Sequence, residues 1–577
     1  MSRSWVRAGG LLLAVLSAST AHAEDILVEA LAAELDANMS TLRLEDAAEP
    51  YFISYLVYDV HNTSVIAQLG GLLSESSRPS RQLGVGVRVG DAQLDSANFS
   101  ALGESDGFTQ RRLVRDDVAL AIQHDAWLVT DNAYKAAVEN LSRKEALARR
   151  RITVDETPDF APGPAQQVDG GFAEPVDGAE LRSQVRDLSA IFLDHPEVDS
   201  STVYGAAEVG RRIMLDSLGT RVIEPTAEIS IRVVARARSA DGATMVDEVS
   251  WLVRSLDDLP DADAMAAEVY ALTQRLEAWR DLPVATSEYI GPVVFADGAA
   301  VDLFRHLMLP ALEGTPPPET PPRGSRVISL GSTGSGTLGL RRRMLPVGFS
   351  VYDDPAADLT LPSGFRYDWE GEPAQRVELV VDGIVRSHYA ARTPSSSVPA
   401  SNGHGRGFPG ALVRGMASHT VVSVKSETPA RKLHRQAMKL TGAYDNDHYL
   451  VVRRLSDPAL SGEDVGSMFS FGGDDGGGLP APLEVVRVYQ DGREEIVRGL
   501  NFAGGGLELL RDVIAASGQT TATFLSPPPR RGVQGPMFGL PVTLTAPDVL
   551  IGELEMVAGT DAAEKPPRVG SPLVEVE

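Results

Sequence analysis

The chain has 577 residues, 43% of them hydrophobic, no cysteine, and a formal net charge of -26 at pH 7. That length predicts several domains or two large ones with sizeable cores, and the missing cysteines exclude a disulfide framework, thiolate metal ligands, a cysteine nucleophile and a lipoprotein anchor. The acidity argues against nucleic acid as a partner, because phosphate binding needs a basic surface.

Arg3 and Arg7 open the chain with positive charge, residues 9–16 form a short apolar run, and Ala21-His22-Ala23 is the small-x-small pattern of a signal-peptide cleavage site. We expect residues 1–23 to be removed on export to a periplasmic or secreted destination. The run is far short of the roughly 20 apolar residues that cross a bilayer, and no later segment reads as a membrane span.

In the part that follows, residues 52–60 are a strand candidate. Leu83, Val85, Val87 and Val89 alternate with small or polar residues, as do Ile229, Ile231 and Val233, and a period of two predicts strands buried on one face. A helix is expected from about Trp127 to Arg151, with Ala126, Ala133, Tyr134, Ala137, Val138 and Leu141 on one stripe and Glu139 with Arg143 and Glu145 with Arg149 as i,i+4 pairs outside it. Asp241-Gly242 reads as a hairpin turn, since Asp-Gly accepts positive φ. Met265, Val269, Leu272 and Leu276 mark a second amphipathic helix. Both stripes read as core.

Pro- and Gly-rich stretches at 155–177, 314–324, 472–478 and from Pro527 onward read as loops. We place the main boundary near Ile290, giving a domain of residues 24–290 and another of 291–577. Strands dominate the second, with hairpins at 377–385 turning on Asp382-Gly383 and at 483–497 turning on Asp491-Gly492. The runs Arg149-Arg150-Arg151 and Arg341-Arg342-Arg343 read as solvated helix end or loop.

Candidate chemistry is sparse. Asp302 and His306 lie four apart and share a helix face, so with His404 or His419 they suggest an unusual carboxylate-histidine metal site, against which stands the simpler reading of His306 as a hydrogen-bonded core histidine. In Asn402-Gly403-His404-Gly405-Arg406-Gly407 the glycines permit close backbone approach, which makes Gly403, His404 and Gly405 candidates for a peptide cleft; a plain loop is the alternative. The glycine-rich stretch 331–339 lacks the Lys and strand-to-helix context of a phosphate loop. Gly334-Ser335-Gly336 lacks the framing of a serine-hydrolase elbow.

Several segments, taken in order, resemble one family. They are Pro50-Tyr51-Phe52-Ile53-Ser54-Tyr55, residues 81–98 and 130–151, Asp194-His195-Pro196-Glu197-Val198, Gly291-Pro292-Val293-Val294-Phe295 through Leu303-Phe304-Arg305-His306-Leu307, Asp353-Asp354-Pro355, residues 368–375, Val381-Asp382-Gly383, residues 483–517 and Gly539-Leu540-Pro541-Val542. The set resembles the TldD/PmbA family of peptidases. The resemblance implies an α+β fold, an N-terminal sheet-and-helix domain followed by a mainly β C-terminal domain, and pairs of TldD-like and PmbA-like subunits that cleave peptides or unstructured protein segments with zinc.

In TldD-like members a helix early in the C-terminal domain carries His-Glu and a second His, and a Cys completes the site. Here the corresponding segment is Val301-Asp302-Leu303-Phe304-Arg305-His306, and there is no Cys. The chain is thus similar to the PmbA-like subunit. The resemblance implies no catalytic residue and no cofactor in this chain, zinc in a TldD-like partner (a homodimer being the other arrangement), and a peptide substrate. Two other readings stand beside it: a stand-alone peptide-binding or structural protein, and an atypical metallopeptidase using Asp302 and His306.

Overall fold

The computed structural model describes residues 25–99, 107–150, 156–239, 241–319, 338–456, 479–526 and 539–559. The signal-peptide reading of residues 1–23, Gly334-Ser335-Gly336, the stretch 472–478 and Pro527-Pro528-Pro529 lie outside the described residues.

The fold is mixed α+β. A first sheet is made of β1 (Pro50–Gln68), β2 (Gly71–Val89), β3 (Phe108–Arg112), β4 (Gln167–Asp169), β5 (Ser200–Asp216), β6 (Arg221–Arg238) and β7 (Thr244–Val253). Its order is β3-β2-β1-β5-β6, with β4 and β7 both on β6. Four helices belong to it: α1 (Ile26–Thr41), α2 (Ala119–Ala148), α3 (Gly178–Ala190) and α4 (Ala262–Arg280). Asp25, Asp177 and Asp261 cap α1, α3 and α4 by accepting a first-turn N–H.

Alternation along the strands sorts the two faces. The odd-numbered Ile53, Tyr55 and Val57 pack under α1 and α2, and Val65, Val203 and Val209 pack with α3 and α4. Helix α2 starts at Ala119, ahead of the expected start near Trp127, because Ile122 and Ala126 extend the buried stripe upstream. The pairs Arg143–Glu139 and Arg149–Glu145 form at 2.6 Å and 3.0 Å.

The even-numbered Leu56, Met214 and Val222 face the other way, against Phe365, Trp369, Phe408 and Val413 of the second half. Strand β2 contributes glycine there. A Cβ on Gly84 would stand 2.4 Å from the Gly410 nitrogen and 2.5 Å from Pro409 Cα, so only a residue without a side chain lets the two backbones meet. The layers are therefore helices, first sheet, then C-terminal half.

The second sheet begins at β8 (Tyr289–Phe295), followed by α5 (Asp297–Ala311), β9 (Phe349–Asp353), β10 (Val377–Val381), β11 (Ile384–Val385), the short pair β12 (Gly405–Arg406) and β13 (Arg414–Gly415), β14 (His419–Val424) and α6 (Ala430–Thr441). It continues with β15 (His448–Leu455), β16 (Pro482–Tyr489), β17 (Glu494–Val497), β18 (Leu500–Phe502), β19 (Val513–Ser526) and β20 (Leu540–Ala558). The order is β11-β10-β9-β14-β20-β8-β15-β16-β17, with β18 and β19 on β20. One face packs on α5 and the other on α6. Asp382 and Gly383 both adopt positive φ, 53° and 78°, as the expected tight turn requires.

Candidate functional site

Helix α5 follows β8 directly, and Asp297 at its start takes φ 53° while its N–H donates to Asp548 Oδ1 at 3.1 Å. Asp302 and His306 do share a half-buried face of this helix. Arg305 lies 3.6 Å from the Asp302 carboxylate, and its guanidinium rests 4.2 Å over the Phe524 ring.

His404 and His419 sit elsewhere, around Asp353. His404 Nε2 is 3.0 Å from Asp353 Oδ1 with both side chains fully buried, and its Nδ1 lies 3.0 Å from the Asn402 carbonyl. Asp353 also accepts from the N–H groups of Ser418 and His419 and from Thr420 Oγ1. Burial works to raise this carboxyl, but the His404, Thr420 and Ser418 bonds outweigh it and hold the pKa below the usual carboxylate range. Both imidazole nitrogens of His404 are thus engaged inside the protein. Among the described residues no three His, Cys, Asp or Glu side chains gather as a metal would require.

The glycines beside His404 are approached closely by other parts of this chain, Gly403 by backbone and Gly405 by side chains. A Cβ at Gly403, whose φ is 72°, would stand 2.1 Å from the Pro373 carbonyl oxygen; one at Gly405 would stand 2.7 Å from Asp368 Oδ2. A hydroxyl beside an imidazole occurs at Ser397 and His388, 3.1 Å apart. There the other ring nitrogen donates to the Leu338 carbonyl rather than to a carboxylate, and burial lowers the His388 pKa.

The densest chemistry lies between the first sheet and the C-terminal half. Arg392 Nη1 donates to Asp216 Oδ2 at 2.7 Å, its Nε to Glu372 Oε1 at 2.7 Å, and its backbone N–H to Glu370 Oε2 at 2.6 Å. Arg88, on β2, donates to Asp95 Oδ2 at 2.7 Å and to Thr393 Oγ1 at 3.1 Å. Burial would raise the Asp95 carboxyl, but Arg88 and Lys144 overcome it and hold its pKa low. Asp368 accepts the N–H groups of Glu370, Glu372 and Gly405; burial and the adjacent Glu370 charge push it up to about 7. Burial also raises Glu370, against the pull of Arg392.

Beside this cluster the Arg212 guanidinium lies 3.6 Å over the Trp369 ring, whose N–H donates to Tyr58 at 2.6 Å. Two rows further along the same sheet face, Glu208 on β5 and Glu228 on β6 stand directly opposite each other. Burial raises Glu208 to about 7; burial and the Glu208 charge raise Glu228 to about 8.

A cavity of about 40 Å³ opens between the halves, bordered by Ser54, Arg88, Thr220, Trp369, Glu370 and Arg392. That is room for a few waters, far below the roughly 300–1,000 Å³ of a ligand pocket. The arrangement is a buried ionic clamp joining the first sheet to the C-terminal half. Its members come from β2, β5 and the segment 368–393, and sequence spacing gave no sign of them: buried arginines have no periodicity, and the only local signal was the acidic run Asp368, Glu370, Glu372.

A family model, the PmbA/TldA metallopeptidase C-terminal domain, matches residues 287–558. Several solved structures share the fold. TldE from Thermococcus kodakarensis is 15% identical with a TM-score of 0.55, covering 88% of this chain and 97% of that one. A Thermotoga maritima protein described provisionally as a modulator of a DNA gyrase is 14% identical with a TM-score of 0.54, covering 88% and 95%. A Bacteroides thetaiotaomicron protein with a similar provisional description is 11% identical with a TM-score of 0.56, covering 92% and 98%. No curated protein matches the sequence.

Proposed function

The chain belongs to the TldD/PmbA family, and from that premise we infer that it acts outside the cytoplasm as the zinc-less, PmbA-like subunit supporting a TldD-like catalytic partner in the proteolysis of peptides or unstructured segments. The observation that carries this reading is the make-up of α5. Where a zinc peptidase of the family presents His-Glu and a second His, this helix offers Asp302, facing Arg305, and His306. No Cys exists anywhere to complete a site.

The residues present do not fit a catalytic zinc, which needs three protein ligands and an open position with a base beside it. The chain's contribution is then binding and orientation. A cleft completed by a second subunit positions the substrate, and positioning contributes several kcal/mol without any catalytic group from that subunit. Residues 1–23, with Ala21-His22-Ala23, supply the export reading. Among the described residues no helix is long and apolar enough to cross a membrane.

The test mixes the chain with a TldD-like protein that carries the zinc ligands. Alone, the chain should leave unfolded peptides intact; mixed, it should raise the partner's cleavage rate. Chelator-sensitive cleavage by this chain alone would overturn the subunit reading, and failure to stimulate any such partner would turn it toward a stand-alone peptide-binding protein.

A further inference from the structure

Helix α6 carries positive charge in a form that folding does not explain. It holds Arg431, Lys432, His434, Arg435 and Lys439 and no acidic residue. Leu433, Ala437 and Thr441 turn inward, and all five basic side chains are exposed. Arg431, Arg435 and Lys439 follow at i, i+4 and i+8, one stripe on which like charges oppose the helix. Arg431 and Lys432 also occupy the first turn, where the helix dipole disfavours cations.

Other residues make the ion pairs of this region, Lys425 with Asp382 and Arg453 with Glu494. Among the described residues none joins Arg431, Lys432, Arg435 or Lys439 to a carboxylate. Burial raises the pKa of the Asp548 carboxyl; of the helix's basic residues, His434 is near enough for its charge to pull that pKa down against this larger effect, and Asp548 accepts the Asp297 amide. In a protein of net charge -26, an exposed stripe of uncancelled cations is a local reversal of sign.

We propose that α6 is a docking surface for an extended acidic peptide segment, rich in Asp and Glu, belonging to another protein. Charge complementarity selects the occupant. A bilayer or duplex would lay negative charge across a whole face of this acidic protein, including the exposed carboxylates Glu427 and Asp445 that flank α6 along the chain, with which it would compete over the Debye length of about 8–10 Å. A single extended strand touches α6 alone. The helix, 12 residues and therefore about 18 Å long, is spanned by about six extended residues. This inference stands apart from the peptidase reading and survives its failure.

Fluorescence anisotropy of the full chain with fluorescein-labelled hexaglutamate tests it. Saturable binding is expected, falling as salt rises and absent with hexaglutamine. The variant Arg431→Gln, Arg435→Gln, Lys439→Gln should weaken it about tenfold with a melting temperature no lower than the parent's, since the three side chains are exposed and their mutual repulsion is removed. The charge-conserving Arg431→Lys, Arg435→Lys variant should retain binding. Arg341→Gln, Arg342→Gln, Arg343→Gln, which removes equal charge elsewhere, should bind like the parent. Absence of saturable hexaglutamate binding, an equal loss in both neutralised variants, or binding to phosphatidylglycerol vesicles without binding to the peptide would each overturn the proposal.

Discussion

Arg392 and Asp216 meet at 2.7 Å with side chains 1% and 3% exposed, one from the segment after β11 and the other from the end of β5. A buried ion pair therefore ties the second half of the chain to the first sheet. The same guanidinium reaches Glu372, and the surrounding carboxylates keep it protonated against the cost of burial.

Arg392→Met should leave Asp216, Glu370 and Glu372 enclosed without their countercharge. Removing one partner from such a pair costs about 3–5 kcal/mol, so urea unfolding should show a clearly lower midpoint. Arg392→Lys should fall between the two, because it keeps the charge and loses the fork of donors. A loss under about 1 kcal/mol in Arg392→Met would mean that solvent already reaches the cluster.

Gly84→Ala should force the first sheet and the Pro409-Gly410 backbone apart, since the added Cβ meets backbone atoms at 2.4 Å and 2.5 Å. Overpacking of this kind costs about 1–3 kcal/mol. Gly339→Ala, whose Cβ would meet nothing within 4 Å, is the neutral comparison. Equal melting temperatures for the two variants would show that the halves are not in close contact at Gly84.

Stability should decline as pH rises through the neutral range. Glu208 and Glu228 ordinarily titrate near 4.5 and are raised to about 7 and about 8 by folding. Between those limits the folded chain holds protons that the unfolded chain has released, so the contribution is present at low pH and is lost on approach to about pH 8. The double variant Glu208→Gln, Glu228→Gln should flatten this slope and be more stable than the parent at about pH 9, by on the order of 1 kcal/mol after solvent screening. Parallel pH profiles for parent and variant would contradict the paired-carboxyl account.

The purified chain should retain no stoichiometric zinc after dialysis, because α5 supplies neither His-Glu nor a thiolate partner. Elemental analysis checks this. About one zinc per chain, lost in His306→Ala, would restore the atypical metallopeptidase reading.

Much of the scaffold was legible in the sequence because it is periodic. Leu83, Val85, Val87 and Val89 announced β2, Met265 to Leu276 announced α4, and Asp382-Gly383 announced its hairpin. The start of α2 was missed because Val118 offers no side-chain cap. Glycines such as those around His404 signal close approach, yet sequence cannot say to what: Gly403 meets the Pro373 backbone and Gly405 the Asp368 side chain. The ionic clamp was invisible for a similar reason. Asp216 and Arg392 are 176 residues apart along the chain, Arg88 and Thr393 are 305 apart, and they meet where the two layers touch, at a seam that includes the close approach of Gly84 to Gly410.

The position of β20 bears on how the molecule comes into being. Among the described residues of the second sheet it alone joins the strands β11, β10, β9 and β14 to β8, β15, β16 and β17; β14 and β8 follow one another along one edge of β20, and β19 and β18 along the other. Until residues 540–558 are made, β14, β8, β18 and β19 each lack the neighbour that β20 supplies, the exposed state most open to wrong pairing. Residues 540–558 pair with all four strands, so the order of synthesis makes completion of this sheet a late event, and a chain that stops short of β20 is left with fragments of a sheet rather than a smaller one.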